Sequence, residues 1–303
     1  MQKKHSLDGM AILLMTALCL TWGIQQVVIK VAAEDVSPLL QAGIRSVGAT
    51  ILVLAWMRWR GLKLLQGDGS LIPGIFAGLL FGAEFGLIFV GLTLTTASRA
   101  VILLYTTPFW VALGSHVFIP GERIRPVQVA GLLLAFGGVV LTFAERVQAP
   151  QPRELLGDAL MVMAAILWAA TTILIKASRL RSVSPHKTLL YQLAVSGVGL
   201  ILAAILSGEP FRVPATPFVI GALGFQIVIV ASISYVVWFW LIQRYPVSRL
   251  SAFSFLTPVF GVASGAFYLD EPLSFSLLLA LLLVAVGIYI VNMPKNSATQ
   301  PNE

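Results

Sequence analysis

SRAVILLYTTPFW at residues 98–110 is repeated, in altered form, as SRLSAFSFLTPVF at residues 248–260. Each copy begins with Ser-Arg and carries Thr-Pro at its tenth and eleventh positions. Three further pairs keep the same order and nearly the same spacing: Trp22 with Trp168, Lys30 with Lys176, and Glu122 with Glu271. Because such residues are uncommon in apolar segments, their ordered recurrence indicates an internal repeat rather than chance.

The composition indicates an integral membrane protein. Of 303 residues, 58% are hydrophobic and 11% are charged, and the mean hydropathy is +0.91. Soluble domains carry about 25% charged residues. A surface this apolar must face lipid rather than water. The apolar segments run from Met10 to Asn292 without a polar stretch long enough to fold alone, which excludes a soluble domain on a single anchor.

Ten apolar segments are long enough to span a membrane, since a helix needs roughly 20 residues to cross the hydrocarbon core. Their polarity is continuous rather than alternating, which favours helices over a barrel of strands. We therefore predict an all-α membrane protein with ten helices, at residues 10–31, 38–57, 71–92, 98–118, 126–144, 155–176, 187–206, 217–241, 249–268 and 273–292.

The basic residues predict the orientation, because cytoplasmic loops are enriched in Lys and Arg. With the N-terminus inside, fourteen of them fall on the inner side. Five fall on the outer side, namely Lys30, Arg99, Arg146, Arg153 and Arg212. Both termini are therefore expected in the cytoplasm. Since the positive charges lie at segment ends, they indicate membrane orientation and not nucleic-acid binding.

Each repeat contains five predicted helices, so the second copy enters the membrane from the opposite side. We predict two inverted halves, residues 1–147 and 148–303, related by a pseudo-two-fold axis in the membrane plane around a central cavity. Two such halves can exchange conformations, which is the basis of alternating access. The repeat therefore favours a transporter over a channel with one continuous pore.

A longer pattern carries a family resemblance. It consists of Trp22-Gly23 with Lys30, Arg45, Tyr105-Thr106-Thr107-Pro108, and Gly121-Glu122-Arg123 followed by Gly131 and Gly137-Gly138. This pattern resembles the EamA family of the drug/metabolite transporter superfamily, and within it the aromatic amino acid exporters. The second copy is similar but weaker, with Ala169 in place of Gly23. The resemblance implies ten helices in two inverted halves, a central cavity and export of small metabolites.

Glu84 lies near the middle of the third predicted helix, where an unpaired carboxylate costs a few kcal/mol or more. Gly74, Gly78, Gly82 and Gly86 form a stripe suited to close helix packing. Glu84 points away from that stripe, towards a cavity. Two interpretations stay open: a group that binds protons or a substrate ammonium, and a structural carboxyl that is hydrogen-bonded or paired with an arginine.

Six aromatic residues lie within predicted helices rather than at the membrane interfaces. They could line a chamber for amphipathic or aromatic solutes through stacking and cation–π contacts, although ordinary helix packing is an equal alternative for each. These candidate cavity residues are Trp22, Tyr105, Trp110, Trp168, Tyr235 and Trp238.

Pro108 and Pro258 occur at matched positions, where proline removes a helix hydrogen bond and breaks or kinks the helix. We expect them to shape the cavity or a gate. Arg45 needs a carboxylate or carbonyl partner inside its helix, and a gate or structural ion pair is favoured over direct binding of a substrate carboxylate. Lys30 and Lys176 are expected to anchor helix ends by reaching the interface.

The sequence contains no phosphate-binding loop, nucleophile motif or metal-ligand cluster, so we predict no enzyme activity and no cofactor. Transport should then be secondary or passive. The expected function is export of small amphipathic metabolites, chiefly aromatic or hydrophobic amino acids, from a bacterial inner membrane. Facilitated diffusion is favoured over proton antiport, because a single candidate carboxylate, Glu84, is weak evidence that transport is coupled to protons. A proton-coupled multidrug or nucleotide-type exporter is the alternative.

Overall fold

The computed structural model describes residues 7–62, 67–92, 94–144, 149, 151–268 and 275–293. Within these ranges all regular structure is helical, and ten helical spans are long and apolar enough to cross a membrane. The predicted all-α architecture with ten spans is confirmed. The protein is a multi-pass membrane protein.

In the first half, the helices are α1 (Gly9–Ala32), α2 (Pro38–Trp59), α3 (Leu71–Leu92), α4 (Ala97–Leu104), α5 (Thr107–Phe118) and α6 (Pro126–Phe143). In the second half, they are α7 (Pro152–Ala177), α8 (Pro185–Leu206), α9 (Pro217–Gly224), a π-helix (Phe225–Ser234), α10 (Tyr235–Arg244), α11 (Val247–Phe253), α12 (Leu256–Tyr268) and α13 (Phe275–Asn292). The ten spans begin and end close to the predicted positions. Residues 273 and 274, predicted to open the last helix, lie outside the described ranges.

The helix starts follow local sequence. Six helices carry proline at their first or second position, where its missing N–H is not needed. Others begin at side-chain caps: Asp8 accepts from the backbone N–H of Ala11, and Thr96 accepts from that of Arg99. These local signals explain why the boundaries could be predicted from sequence.

The fourth and ninth spans are each divided into two helices. The chain leaves α4 at Tyr105 and re-enters α5 at Thr107, and it leaves α11 at Ser254 and re-enters α12 at Leu256. In both repeats the Thr-Pro pair stands at the start of the second helix, where a proline is tolerated. The matched breaks agree with an inverted repeat and with the predicted effect of Pro108 and Pro258 on the helices.

The eighth span departs from regular α-helix over ten residues, Phe225–Ser234, which form a π-helix. The Ser232 hydroxyl donates to the carbonyl of Ile227, five residues earlier, at 2.7 Å. The apolar pattern did not predict this feature, because periodicity does not distinguish wide helical turns from normal ones. Such segments are frequent at functional sites, and this one packs against α1 and α2.

The two halves are interleaved rather than side by side. Helix α3 packs on α7 and α8, α2 packs on α8, α1 packs on α12, and α6 packs on α13. The α6–α13 contact joins the last helices of the two repeats through small residues. A Cβ atom on Gly287 would lie 2.6 Å from the backbone nitrogen of Ala135 and 2.6 Å from the carbonyl oxygen of Gly131. The backbones can approach this closely because glycine stands at the crossing.

The connection between α2 and α3 is tied to α8 by an ion pair. Lys187 donates from Nζ to Oδ2 of Asp68 at 2.7 Å, and Ser70 donates its backbone N–H and its hydroxyl to Oδ1 of the same carboxylate. The hydrogen bond from Lys187, followed by those from Ser70, lowers the pKa of Asp68 to about 2. An aspartate in an unfolded chain titrates near pKa 3.9, so ionised Asp68 favours the folded state.

We expect the stabilisation from Asp68 to be present in full above about pH 4 and to be lost as the pH falls through about 2. Thermal unfolding of the detergent-solubilised protein at pH 7 and at pH 3 measures it. Asp68→Asn should lower the unfolding temperature at pH 7 and reduce its dependence on acid. Glu34→Gln, at an exposed carboxylate after α1, is the matched control. Equal acid dependence in the wild type and Asp68→Asn would contradict the expectation.

Candidate functional site

A cavity lies between helices of both halves. Its wall is built from α1, α3, the end of α4, α7, α8 and α10, and its volume, including the part open to solvent, is about 1010 Å³. The wall is chiefly apolar and aromatic with a few polar groups, as in pockets for small organic molecules. The cavity runs from Ile175, near the end of α7, to Ile29 and Leu92 at the far ends of α1 and α3.

Trp22 stands at the centre of the aromatic wall. Its ring packs edge-on against Trp238 at 5.8 Å and against Tyr235 at 6.4 Å between centroids. Its indole N–H donates to the Ser234 hydroxyl at 2.9 Å, at the end of the π-helix. The π-helix therefore helps to hold Trp22 in place. All three rings line the cavity.

A second aromatic pair comes from the broken fourth span. Tyr105 lies at the break after α4, and its ring packs edge-on against Trp168 of α7 at 6.1 Å. Both residues line the cavity. The equivalent break in the second repeat carries Phe255, which instead packs against Phe109 and Phe136. The two breaks are similar in backbone but not in what they present to the cavity.

Trp110 does not belong to the cavity wall, contrary to the sequence prediction. Its indole N–H donates to the Thr106 hydroxyl at 3.2 Å, one turn earlier at the start of α5. The ring is thereby held along its own helix, and it packs against the hydrophobic core. A helical pattern alone could not reveal this orientation, because the break before α5 resets the direction of its side chains.

Glu84 lines the cavity, as the sequence predicts, and is 5% exposed. Its Oε2 atom has no hydrogen-bond partner among the described residues. The glycine stripe packs on α8 through Gly74 and Gly78, which lie against Tyr191 and Val195. Helix α3 thus packs its glycine face on α8 and presents the carboxyl group of Glu84 to the cavity.

The sequence prediction missed several polar residues of the wall. Gln25, Gln192, Thr171 and Thr172 all line the cavity, and the Gln192 side chain is fully buried. The signal that could have identified them was amide side chains within apolar spans, where burial without a partner is costly. For Gln192 both amide atoms lack a hydrogen-bond partner within the described part of the chain.

Arg45 is 1% exposed and lies behind the cavity wall rather than in it. Its guanidinium carbon stands 4.3 Å from the ring centroid of Phe85, and Phe85 lines the cavity. The sequence predicted a carboxylate or carbonyl partner. Instead, Nε and Nη2 of Arg45 have no hydrogen-bond partner among the described residues. Glu84 is close enough to interact with Arg45 electrostatically, but the two do not form a direct ion pair.

Lys176 joins several helices at the face of the bundle where α1 begins, which we call the N-terminal face. Its Nζ atom donates to the carbonyls of Ile242 and Tyr245, the latter at 2.6 Å, and lies 3.8 Å from Oε1 of Glu122. Since Lys176 is 5% exposed, the expectation that it anchors at the interface is wrong. Its partners are carbonyl and carboxylate groups inside the protein. They come from other parts of the chain, so the sequence of α7 alone could not predict them.

Neighbouring contacts extend this network across the N-terminal face. Glu122 accepts from the backbone N–H of Val247 at 2.9 Å, and the Tyr245 hydroxyl donates to Asp8 at 3.0 Å. These contacts link the start of α1, the α5–α6 connection, the ends of α7 and α10, and the start of α11. Because Lys176 follows directly after the cavity residue Ile175, the network lies at that end of the cavity.

The opposite face has a different ion pair. Arg99, in the first turn of α4, forms a salt bridge with Asp158 of α7, and the Thr95 hydroxyl donates to the same carboxylate at 2.7 Å. The repeat partners of the Lys176 network are Lys30 and Glu271. The Lys30 side chain and Glu271 lie outside the described part of the structure.

Pro108 and Pro258 are not among the residues that line the cavity. The second break approaches α1 closely: a Cβ on Gly23 would lie 2.8 Å from the backbone nitrogen of Gly261 and 3.0 Å from the carbonyl oxygen of Thr257. Movement at this break would therefore reach α1, which carries Trp22. A gating role for the two prolines and for Arg45 stays a prediction.

The described residues contain no group of three or more His, Cys, Asp or Glu side chains that could hold a metal ion. The polar groups of the cavity are one carboxyl, amides and hydroxyls. This set can bind a small solute through hydrogen bonds and charge.

Comparison with known proteins agrees with the fold. A probable amino-acid metabolite efflux pump of Escherichia coli (strain K12) is 29% identical over 294 residues, covering 93% of this chain and 94% of that protein. An uncharacterized transporter of Archaeoglobus fulgidus is 28% identical over 281 residues, covering 92% and 96%. A solved crystal structure superposes with a TM-score of 0.81 at 23% identity, covering 93% of this chain and 97% of that one.

The family comparison covers nearly all of the ten-helix bundle. A model described as the EamA-like transporter family matches residues 9–144 and residues 155–293. The family and the names of the relatives indicate a transporter, as the sequence predicts. This chain belongs to the EamA-like transporter family.

Proposed function

We propose that this protein exports small amphipathic metabolites across a bacterial inner membrane, with aromatic and hydrophobic amino acids as its substrates. The observation that carries the proposal is the cavity between the two halves, where eight aromatic side chains surround a space that also contains the Glu84 carboxyl. Aromatic rings suit an apolar side chain, and a carboxyl suits an ammonium group. The name of the Escherichia coli relative supports the same substrate class.

Alternating access is the proposed mechanism. The Lys176 network joins helices of both halves at the N-terminal face, next to one end of the cavity. With both termini in the cytoplasm, this network would close the cytoplasmic side. Matched breaks at Tyr105 and Phe255 offer points where each half can bend. Rearrangement of the two halves would then open one side and close the other.

Facilitated diffusion is proposed over proton antiport. Coupling needs a group that binds the proton and the substrate in competition, and the cavity wall offers Glu84 as its single acidic residue within the described ranges. A transporter of this kind lets substrate run down its gradient through the same cavity. A proton-coupled multidrug or nucleotide-type exporter is the second candidate, and the position of Glu84 in the cavity wall is the observation that favours it.

Counterflow in proteoliposomes tests the proposal. We expect labelled L-phenylalanine to exchange saturably with unlabelled amino acid on the other side, with or without a pH gradient. Glu84→Gln should weaken the exchange, because an ammonium group loses its charged partner, and Glu34→Gln is the exposed control. Accumulation driven by a pH gradient and lost in Glu84→Gln would establish proton coupling instead. Exchange of nucleotides or cationic dyes without exchange of amino acids would overturn the substrate class.

A further inference from the structure

Several buried polar side-chain atoms in and behind the cavity wall have no hydrogen-bond partner within the described part of the chain. Five of the eleven such atoms in the described residues belong to Arg45 on α2, Glu84 on α3 and Gln192 on α8, and each of these side chains is at least nine-tenths buried. Helices α2 and α3 both pack on α8, so the three side chains come from one bundle of packed helices. The atoms comprise guanidinium donors, a carboxyl oxygen and both ends of an amide.

Leaving such groups without partners is costly. A buried charge without a partner destabilises a protein by several kcal/mol. Proteins therefore hydrogen-bond nearly all their buried polar side chains. A cluster that combines a cation, a carboxyl and an amide, all with unused hydrogen-bonding capacity, is suited to a ligand that carries the complementary groups.

The positions of the three groups indicate the arrangement of that ligand. Glu84 and Gln192 lie in the cavity wall, and Arg45 lies directly behind Phe85, the neighbour of Glu84 in sequence. Arg45 and Glu84 carry opposite charges, but no direct ion pair joins them among the described contacts, so each can face the opposite charge of a ligand. A negative group in the cavity against Phe85 would be attracted by the charge of Arg45 behind the ring, while a positive group nearby would meet Glu84 in the wall itself.

We propose that this cluster is the subsite for the head group of an α-amino acid, with Glu84 binding its ammonium and the charge of Arg45 attracting its carboxylate to the ring of Phe85. Gln192 offers a donor and an acceptor to the same head group. The amino acid side chain then lies against the rings of Trp22 and Trp238, which line the same cavity. This inference rests on the proposed function. It adds that the substrate must carry both an unblocked ammonium and an unblocked carboxylate.

Capped analogues of one amino acid test the subsite. In counterflow, L-phenylalanine should compete at least about tenfold better than L-phenylalaninamide, which lacks the carboxylate, and about tenfold better than N-acetyl-L-phenylalanine, which lacks the ammonium. Arg45→Gln should abolish the preference over the amide and keep the preference over the acetylated compound. Glu84→Gln should have the reverse effect. Arg58→Gln, at an exposed position near the end of α2, should keep both preferences.

Arg45→Lys allows the test to be made even if the Arg45→Gln protein does not fold. Arg45→Lys keeps the positive charge but not the planar fork of donors, so it should retain the preference over the amide with weaker competition by L-phenylalanine. If Arg45→Gln does not fold, loss of this preference in a folded Arg45→Lys protein would overturn the proposal. A wild type that accepts the amide equally, or an Arg45→Gln protein that still discriminates, would overturn it too.

The counterflow results distinguish a failure of the proposed function from a failure of the subsite. If the wild-type protein exchanges no amino acid, the proposed function and the subsite both fall. If it exchanges amino acids but its preference for the free carboxylate does not depend on Arg45, the proposed function stands and the subsite alone is wrong. Arg45 would then have a structural role behind Phe85.

Discussion

Lys176→Met is expected to open the N-terminal face of the bundle. The substitution removes the ammonium group that donates to the carbonyls of Ile242 and Tyr245 and lies beside Glu122. Removing one partner of a buried charged network costs about 3 kcal/mol, which corresponds to a change of about two orders of magnitude in a conformational equilibrium. Because the network links helices of both halves, the cost falls on the conformation in which this face is closed.

Accessibility of a cysteine in the cavity measures this change. Cys19 is the sole cysteine of the sequence and is buried, so its replacement by alanine leaves a clean background for Thr172→Cys in the cavity wall. We expect a charged maleimide, applied to the N-terminal face of oriented vesicles, to label this cysteine slowly. With Lys176→Met added, labelling should be at least about tenfold faster.

Lys187→Met is the matched control for this experiment. Lys187 is also a buried lysine near the N-terminal face, but its partner is Asp68 in the connection between α2 and α3. Loss of the Lys187 ammonium should therefore not expose the cavity. Lys176→Arg should restore slow labelling in part, because it keeps donors for the two carbonyls. Equal labelling of the Lys176→Met and Lys187→Met proteins would show that the network does not close this face.

Gly287→Val is expected to destabilise the bundle strongly. Even the first added carbon would lie 2.6 Å from the backbone of α6, at Ala135 and Gly131, and backbone atoms cannot move aside as a flexible side chain can. Helices α6 and α13 would have to separate, and they would lose contacts along their length. Overpacking of this kind costs about 1–3 kcal/mol and more where the backbone is rigid, and we expect the upper end.

Thermal unfolding in detergent measures the effect of Gly287→Val. Gly199→Val is the matched control, because Gly199 lies in α8 and a Cβ placed there meets nothing within 4 Å. Both substitutions put a β-branched residue into a helix, so their difference isolates the close approach. We expect a clearly lower unfolding temperature for Gly287→Val and a small change for Gly199→Val. Similar unfolding temperatures for the two proteins would mean that the α6–α13 contact can open without cost.

Much of the fold was available from sequence alone. The ten spans, their boundaries and the matched breaks before Pro108 and Pro258 follow from hydropathy, helix starts and the effect of proline. These signals act along one segment at a time, and lipid imposes them strictly because each backbone group must be satisfied within its own helix. The position of Glu84 in the cavity wall was also foreseen, since a carboxyl group at that depth avoids lipid.

The tertiary structure decided which side chains meet. It placed Trp110 outside the cavity and brought Gln192 into the wall. It gave Lys176 partners from α10 and from the α5–α6 connection, and it left Nε and Nη2 of Arg45 without a hydrogen-bond partner among the described residues. Helix period fixes the face on which a residue lies but not which helix, break or cavity that face will meet. Sequence thus determined the membrane-spanning elements and their inverted repeat, whereas the polar contacts of the cavity depended on how separate helices pack in space.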